Sequence, residues 1–532
     1  MTDISLSHYT KALIDTIKSL KPKSRPDDLS ALSVSQTVSF FALAYEKVRN
    51  AVEFREDHLI LRAAIERIMK RRLSLNPDGK NEAENLIREL LWARYFDNGS
   101  LGAEDVNKAQ AIIDRYVLLR NQVVVGREIE MQQFLNQFLL DLLTAELEET
   151  LKPESATRQA SCTFFIYQVL RKKIKIEGLT DQQKDAYFLV AIEKVYGKSD
   201  QAYQRYHLFV TLYRALSLYS IDELKKLGSQ LSTIFKRIDD MITNAYVDNL
   251  VKFTRKQLPP FLILFEILKN KLNQADVILT NKEKLWNTVD LTCREKYQQL
   301  GSRITNLAIK SFIYILLTKM LFALILEYPL SIYLYGEANN MSIAINSIFP
   351  PILMVIILAF FRVPGETNTK KIYNRIIEII DANQSFETQV AFMPKKSRAK
   401  RPILIFGFTV FYSLTFIITL TLIYEVLTFL NFNLVSQFIF LFFVSIVTFF
   451  SYRIRQIVKE LRLEDKENII TPLIDFFFMP ILSIGKFFSQ EIARLNFFIF
   501  IFDFLIEAPF KLVFEVVEEW ITFVRKRKEE II

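Results

Sequence analysis

The residues with the most chemical potential are those whose charge falls where charge is costly. Lys319 stands about midway through an apolar stretch at 312–335. Glu327 follows it eight residues later, and Glu425 interrupts a second apolar stretch that begins at Pro402. A charged side chain at the centre of a membrane helix costs about 2.5–3.5 kcal/mol on insertion scales, so such groups are often kept for ion or substrate pathways. Eight residues span about 12 Å of α-helix, so the spacing predicts no direct Lys319–Glu327 pair; a functional pair would need another helix. The alternative is that Lys319 snorkels inward while both glutamates reach outer headgroups beside Tyr328, Tyr335 and Tyr424.

The familiar catalytic patterns are missing. Gly197, Lys198 and Ser199 spell the end of a phosphate loop, but Ile192 occupies the position of its first glycine and a helix, not a strand, precedes it. The segment therefore reads as a polar helix end. Of the 3 histidines, His8, His58 and His207, none begins HExxH or pairs with another at helical spacing, and His58 follows Glu56 and Asp57 on a charged face. No nucleophile can be matched to it. The 2 cysteines, Cys162 and Cys293, fit neither a disulfide framework nor a zinc site. No catalytic, cofactor-binding or metal-binding residues are expected.

The elements that would position the intramembrane charges follow from hydropathy. The chain has 532 residues, 51% of them hydrophobic, and its mean hydropathy is only +0.17 because a charged N-terminal part dilutes a very apolar C-terminal one. Residues 342–361, 402–424 and 426–452 contain no Asp, Glu, Lys or Arg, and a spanning helix needs about 20 such residues. With 312–335, and with a turn at Asn431–Asn433, this predicts four spans in two hairpins: 312–335 with 342–361, then 402–430 with 434–452. Pro350 and Pro351 fall inside the second, where a kink is expected rather than a broken helix.

Charge orients the spans. Lys296, Arg303 and Lys310 precede the first; Arg362, Lys370, Lys371 and Arg375 follow the second; Lys395, Lys396, Arg398, Lys400 and Arg401 precede the third; Arg453, Arg455 and Lys459 follow the fourth. The turns at 336–341 and 431–433 carry no Lys or Arg, so the positive-inside rule puts both termini in the cytoplasm of a plasma or bacterial inner membrane. There is no continuous apolar region near Met1 for a signal peptide. In the Phe-rich tail at 456–532, Asp503, Glu507, Lys511 and Glu515 recur every four residues, which argues for amphipathic helices lying on the membrane surface. Lys395, Lys396, Arg398, Lys400 and Arg401, with Arg525, Lys526, Arg527 and Lys528, are the candidate contacts to anionic headgroups. An Ile stripe at Ile372, Ile376, Ile379 and Ile380 in the basic loop 363–401 is expected on that surface or on the tail.

Residues 1–300 read as an all-helical cytoplasmic domain. Leu59, Ile60, Ala63, Ala64 and Ile68 recur at helical spacing, and Thr180 with Gln183, Ser220 with Glu223 and Thr280 with Glu283 form capping-box pairs. Breaks are expected at 76–79, 98–102, 151–155, a possible subdomain boundary, and Pro259–Pro260. A helix through 281–307 is expected to run into the first span. The fold class is thus an all-α membrane protein: a helical N-terminal domain, residues 301–362 and 402–455 as the two hairpins, and interfacial helices after them. The net charge of +9 suits an anionic lipid surface, and no aromatic-rich nucleic-acid motif accompanies it. Function reads as a membrane-anchored scaffold or adaptor with a protein partner for its helical domain and a possible homo-oligomeric state. The alternatives are an oligomeric transporter or channel and, behind it, a lipid-acting enzyme.

Overall fold

Few glycines and prolines, 12 and 15 in the whole chain, leave few places for the backbone to reverse, and helices follow. The structure, a computed structural model, describes residues 4–20, 26, 30–53, 57–359, 363–381, 391–393, 402–463, 476, 478–488, 516, 520 and 523–524. The earlier helices are α1 His8–Ser19, α2 Gln36–Glu53, α3 Ile60–Leu75, α4 Glu82–Trp92, α5 Ala103–Val123, α6 Ile129–Leu151, α7 Pro153–Leu170, α8 Asp181–Val195, α9 Gln201–Leu212, α10 Ile221–Gly228 and α11 Leu231–Ile242. There follow α12 Ala245–Asn270, α13 Ala275–Thr280, α14 Lys282–Phe322, α15 Tyr328–Tyr335, α16 Asn340–Ala359, α17 Glu366–Ile380, α18 Pro402–Phe429, α19 Leu434–Lys459 and α20 Phe478–Phe488. Among the described residues, a short parallel pair, β1 Ile174–Ile176 with β2 Ala391–Met393, departs from the all-helical expectation.

Packing divides the chain into two units. One comprises Met1–Leu6, Lys256–Phe386 and Pro394–Asn496; the other comprises Ser7–Arg255, Glu387–Met393 and Phe497–Ile532. The division falls inside α12, which runs unbroken through Pro259 and Pro260 where a break was expected. Both prolines are buried, and packing on this helix outweighs the two amide donors it forgoes. Thr180 and Ser220 cap α8 and α10 as read from sequence, but Asn281, not Thr280, caps α14 by accepting from the Lys284 amide. Thr280 ends α13 and donates its hydroxyl to the Asp276 carbonyl instead.

In the Lys256–Asn496 unit, four helices are long and apolar enough to cross a membrane. They include α14 through α15, then α16, α18 and α19. α14 alone runs 41 residues, about 60 Å, as the expected continuous helix. α16 is also continuous across Pro350 and Pro351. α14, α16 and α19 pack together through Met354, Leu358, Val447 and Ile454, with Ala308 and Ile315 against them.

The two turns meet at one end of these helices. Gly336 and Asn431 take the positive φ that ends each helix, +77° and +59°, the Ser342 hydroxyl donates to the Asn431 carbonyl at 3.0 Å, and Asn433 Nδ2 donates to Ser331 Oγ at 2.9 Å. The flanking segments gather at the other end. Asn368 on α17 donates to Tyr297 Oη of α14 at 2.7 Å and to the Leu461 carbonyl at 2.9 Å, while its Oδ1 accepts from the Leu463 amide at 2.9 Å. α17 lies along α14, with Trp286 and Tyr373 edge to face and Ile372, Ile376 and Ile380 buried. The Ile stripe expected on the membrane surface is therefore packed inside protein, because α14 extends far enough to cover it.

Of the tail expected on the membrane surface, one helix is described. This helix, α20, lies against the apolar lengths of α18 and α19: Ser483 Oγ is 3.0 Å from Tyr412 Oη, and the Phe488 ring meets Phe442 at 4.8 Å. The Asp503 to Glu515 stripe lies outside the described residues.

Candidate functional site

The structure joins the two charges that sequence spacing kept apart. Lys319 Nζ donates to Glu327 Oε2 at 3.0 Å, and both side chains are wholly buried. The cause is a single π-helical turn, Ala323–Glu327, between α14 and α15. Pro329 has no amide to donate to the Ile325 carbonyl and its ring crowds that oxygen. The helix accommodates it by widening: the Tyr328 amide bonds the Ala323 carbonyl, five residues back. A π turn acts as one inserted residue, so eight residues advance like seven α-helical steps, which end about 20° short of two full turns rather than about 80° past them. Lys319 and Glu327 are thereby brought onto one face.

Further partners come from the other apolar helices. Asn346 Nδ2 on α16 donates to Glu327 Oε1 at 2.7 Å and to the Ser436 carbonyl of α19 at 3.0 Å, and the Lys319 ammonium stands 4.9 Å over the Phe443 ring of α19. Each carboxylate oxygen of Glu327 thus has a donor, and the charges cancel. One buried acceptor, Asn346 Oδ1, has no protein partner. These bonds tie α14–α15, α16 and α19 together. Glu425 does not join them; it is exposed on α18. Lys395, Lys396, Arg398, Lys400, Arg401, Arg525, Lys526, Arg527 and Lys528 lie outside the described residues.

A second concentration of charge, inside the Ser7–Arg255 unit, was not found from sequence. α6 buries Asp141, Glu146 and Glu148. Arg205 of α9 donates Nη1 to Asp141 at 2.6 Å, and grips Asp239 of α11 through Nη2 at 2.5 Å and Nε at 2.8 Å. Its guanidinium also lies 4.6 Å over Phe138, which stacks on Phe235. Arg62 of α3 pairs with Asp200 and with Glu66. Tyr116 and Tyr203 donate their hydroxyls to Glu146 and Glu148.

His207 is held between two carboxylates, with Nε2 2.7 Å from Glu149 and Nδ1 3.1 Å from Glu193, the latter off the hydrogen-bond line. Burial would lower its pKa, but the Glu193 and Glu149 charges prevail and raise it to about 10. Burial pushes Glu193 up, yet His207 and the Ser199 hydroxyl, at 2.6 Å, bring it below the usual range. Burial raises Glu148 to about 7 despite the Tyr203 bond.

Chemically this is a framework. A histidine held protonated at neutral pH is no general base, and the Ser199 hydroxyl is committed to Glu193. Gly197 to Ser199 do not form a phosphate cradle: they join α8 to α9, the Gly197 and Ser199 amides donate back to the Ile192 and Glu193 carbonyls, and His58 meets the Lys198 carbonyl at 3.2 Å. The signal available in sequence was acidic residues at apolar-stripe positions of α6; their partners on α3, α9 and α11 are too distant along the chain for spacing to reveal. Among the described residues no group of His, Cys, Asp and Glu could hold a metal ion. No protein-family model, curated protein or solved structure matches the chain.

Proposed function

We propose that the chain is a membrane-anchored scaffold. The four apolar helices hold it in the bilayer with both turns outside, and the Ser7–Arg255 unit binds a protein partner in the cytoplasm. The observation that carries this reading is the closure of the intramembrane charges upon each other: Lys319, Glu327 and Asn346 cross-link helices as a neutral clamp. A clamp suits an anchor. The buried charges of the helical unit likewise pair internally, which supports a binding role over a catalytic one.

Orientation draws support from two contacts. The flanks of the first, second and fourth spans meet at Asn368, and β2, from the basic loop, pairs with β1 of the N-terminal part, which requires both on one side of the membrane. With the positive-inside rule that side is the cytoplasm. For the partner, the helical unit exposes Phe40, Phe41 and Phe164, apolar rings that suit a protein surface. Benzoylphenylalanine placed at 41 and 164 in the full chain should photocapture one and the same protein in cells. No specific adduct at either position would refute the reading.

A second reading, transport, is favoured by the unpartnered Asn346 Oδ1 beside Glu327 in the apolar interior. It predicts that Lys319→Leu abolishes a flux measured in vesicles; unaltered flux removes Lys319 from any such mechanism.

A further inference from the structure

We propose that the uncovered face of α14 from Gln299 to Lys310 binds an anionic phospholipid whose headgroup is a phosphorylated polyol. The lipid belongs to the leaflet on the side where the flanking segments gather. This rests on the reading that the four apolar helices span.

One face of α14 carries both the charge and the depth marker. Gln299, Arg303, Asn306 and Lys310 follow one another by steps of four, three and four, so they share a face, and all are exposed. Ile313, Leu317 and Leu321 continue the same steps and are at least half exposed. The face thus turns from polar to apolar between Lys310 and Ile313, with exposed Tyr314 at the change. The opposite face is covered: Tyr297, Leu300 and Ile304 are buried, with Val363 and Leu461 packed on the last two. A switch of this kind on an uncovered face marks where water gives way to hydrocarbon. The distance agrees. Exposed Tyr333, near the turn end, stands twenty residues beyond Ile313, one of them absorbed by the π turn, which gives about 28 Å against a core about 30 Å thick.

The charges on this face are unspent. Arg303 and Lys310 have no ion-pair or hydrogen-bond partner among the described residues, whereas the nearby Arg294 and Lys296 are held by Asp290 and Glu266. Lys310 stands about 5 Å outside Ile313, within a headgroup layer about 5–8 Å deep, where it suits a lipid phosphodiester. Arg303 stands about 15 Å outside Ile313, beyond that layer. A lipid that meets both needs a headgroup tall enough to leave the layer, with a second anion at its top. An open cavity of about 650 Å³ runs along this face, and Ser302 and Asn306 line it with groups that suit hydroxyls. A phosphodiester at Lys310, polyol hydroxyls at Asn306 and Ser302, and a phosphate at Arg303 fit that order. Glu295, about 12 Å past Arg303, closes the site to anions further out. Directly below Lys310, Ile313, Leu317 and Leu321 offer the acyl chains their bed, which a free phosphate ester would leave unused.

Native mass spectrometry of the full chain in detergent micelles tests this, with phosphatidylinositol bisphosphate, phosphatidylglycerol and soluble inositol trisphosphate as probes. The bisphosphate lipid should bind at least tenfold more tightly than phosphatidylglycerol. Arg303→Gln should remove most of that preference, and Lys310→Gln should weaken both lipids several-fold. Equal affinity for the two lipids, or a preference that survives Arg303→Gln, would overturn the site. Inositol trisphosphate bound as tightly as the bisphosphate lipid would overturn a lipid as its occupant. A nitroxide at 317 in lipid nanodiscs tests the spans separately, the native Cys162 and Cys293 being buried. Oxygen should reach that label several-fold better than a water-soluble nickel chelate; the reverse would overturn the spanning reading and the site with it.

Discussion

Replacing Lys319 by methionine keeps a long, unbranched side chain but removes its charge. Glu327 is then left with a single donor, Asn346 Nδ2, in a site with no exposure to solvent. At 3.0 Å the ion pair's attraction is about 5–6 kcal/mol for an effective dielectric near 20, set against a desolvation cost of several kcal/mol per ion. The pair's net worth is therefore small, whereas the orphaned carboxylate carries its cost alone. We expect Lys319→Met to destabilise by about 3–5 kcal/mol and Glu327→Met by a similar amount. The double replacement should cost no more than about 1 kcal/mol, so the two single losses less the double give a coupling of about 5–9 kcal/mol. Reversible unfolding in mixed micelles, read for the wild type, both single variants and the double, supplies the cycle. A coupling below about 0.5 kcal/mol would refute the buried pair as a clamp, since that is the scatter expected of independent sites.

Three further outcomes follow from the geometry. Glu148, raised to about 7 by burial, binds its proton more tightly folded than unfolded, so its stabilising contribution is present below about pH 4.5 and is lost as pH rises through 7, at most about 3 kcal/mol; Glu148→Gln should flatten the thermal midpoint between pH 5 and 8, and an unchanged slope would refute this. His207, raised to about 10, acts in the next window: its contribution is full below about pH 6.5 and is lost as pH climbs through 10, so His207→Gln should remove the alkaline decline in a melting series from pH 7 to 10. Asn368→Ala severs bonds to Tyr297, Leu461 and Leu463 and should cost about 2–4 kcal/mol, read as faster protease cleavage near 461; wild-type cleavage rates would show the junction to be dispensable.

Local signals were legible where neighbours along the chain decide the outcome. The charge-free runs located the apolar helices, Asn431 marked a turn, and Thr180 and Ser220 marked helix starts, since a capping side chain reaches only three residues. Pro259 and Pro260 misled because burial against the rest of the unit, invisible locally, holds α12 together. The Ile stripe of α17 announced a buried face but pointed to the membrane surface or the tail where α14 covers it, and the Phe-rich tail announced apolar helices without showing that α20 meets α18 and α19.

What the sequence alone determined is the helical class, the apolar stretches and the asymmetry of basic charge, because hydropathy and helical period are properties of neighbouring residues. Only the tertiary structure decided that Lys319 finds Glu327. That pairing depends on one π turn forced by Pro329, which resets the helical phase, and on Asn346 and Phe443 arriving from α16 and α19. Phase and neighbours across helices are set by packing, and packing is where a residue count along one helix ceases to measure distance.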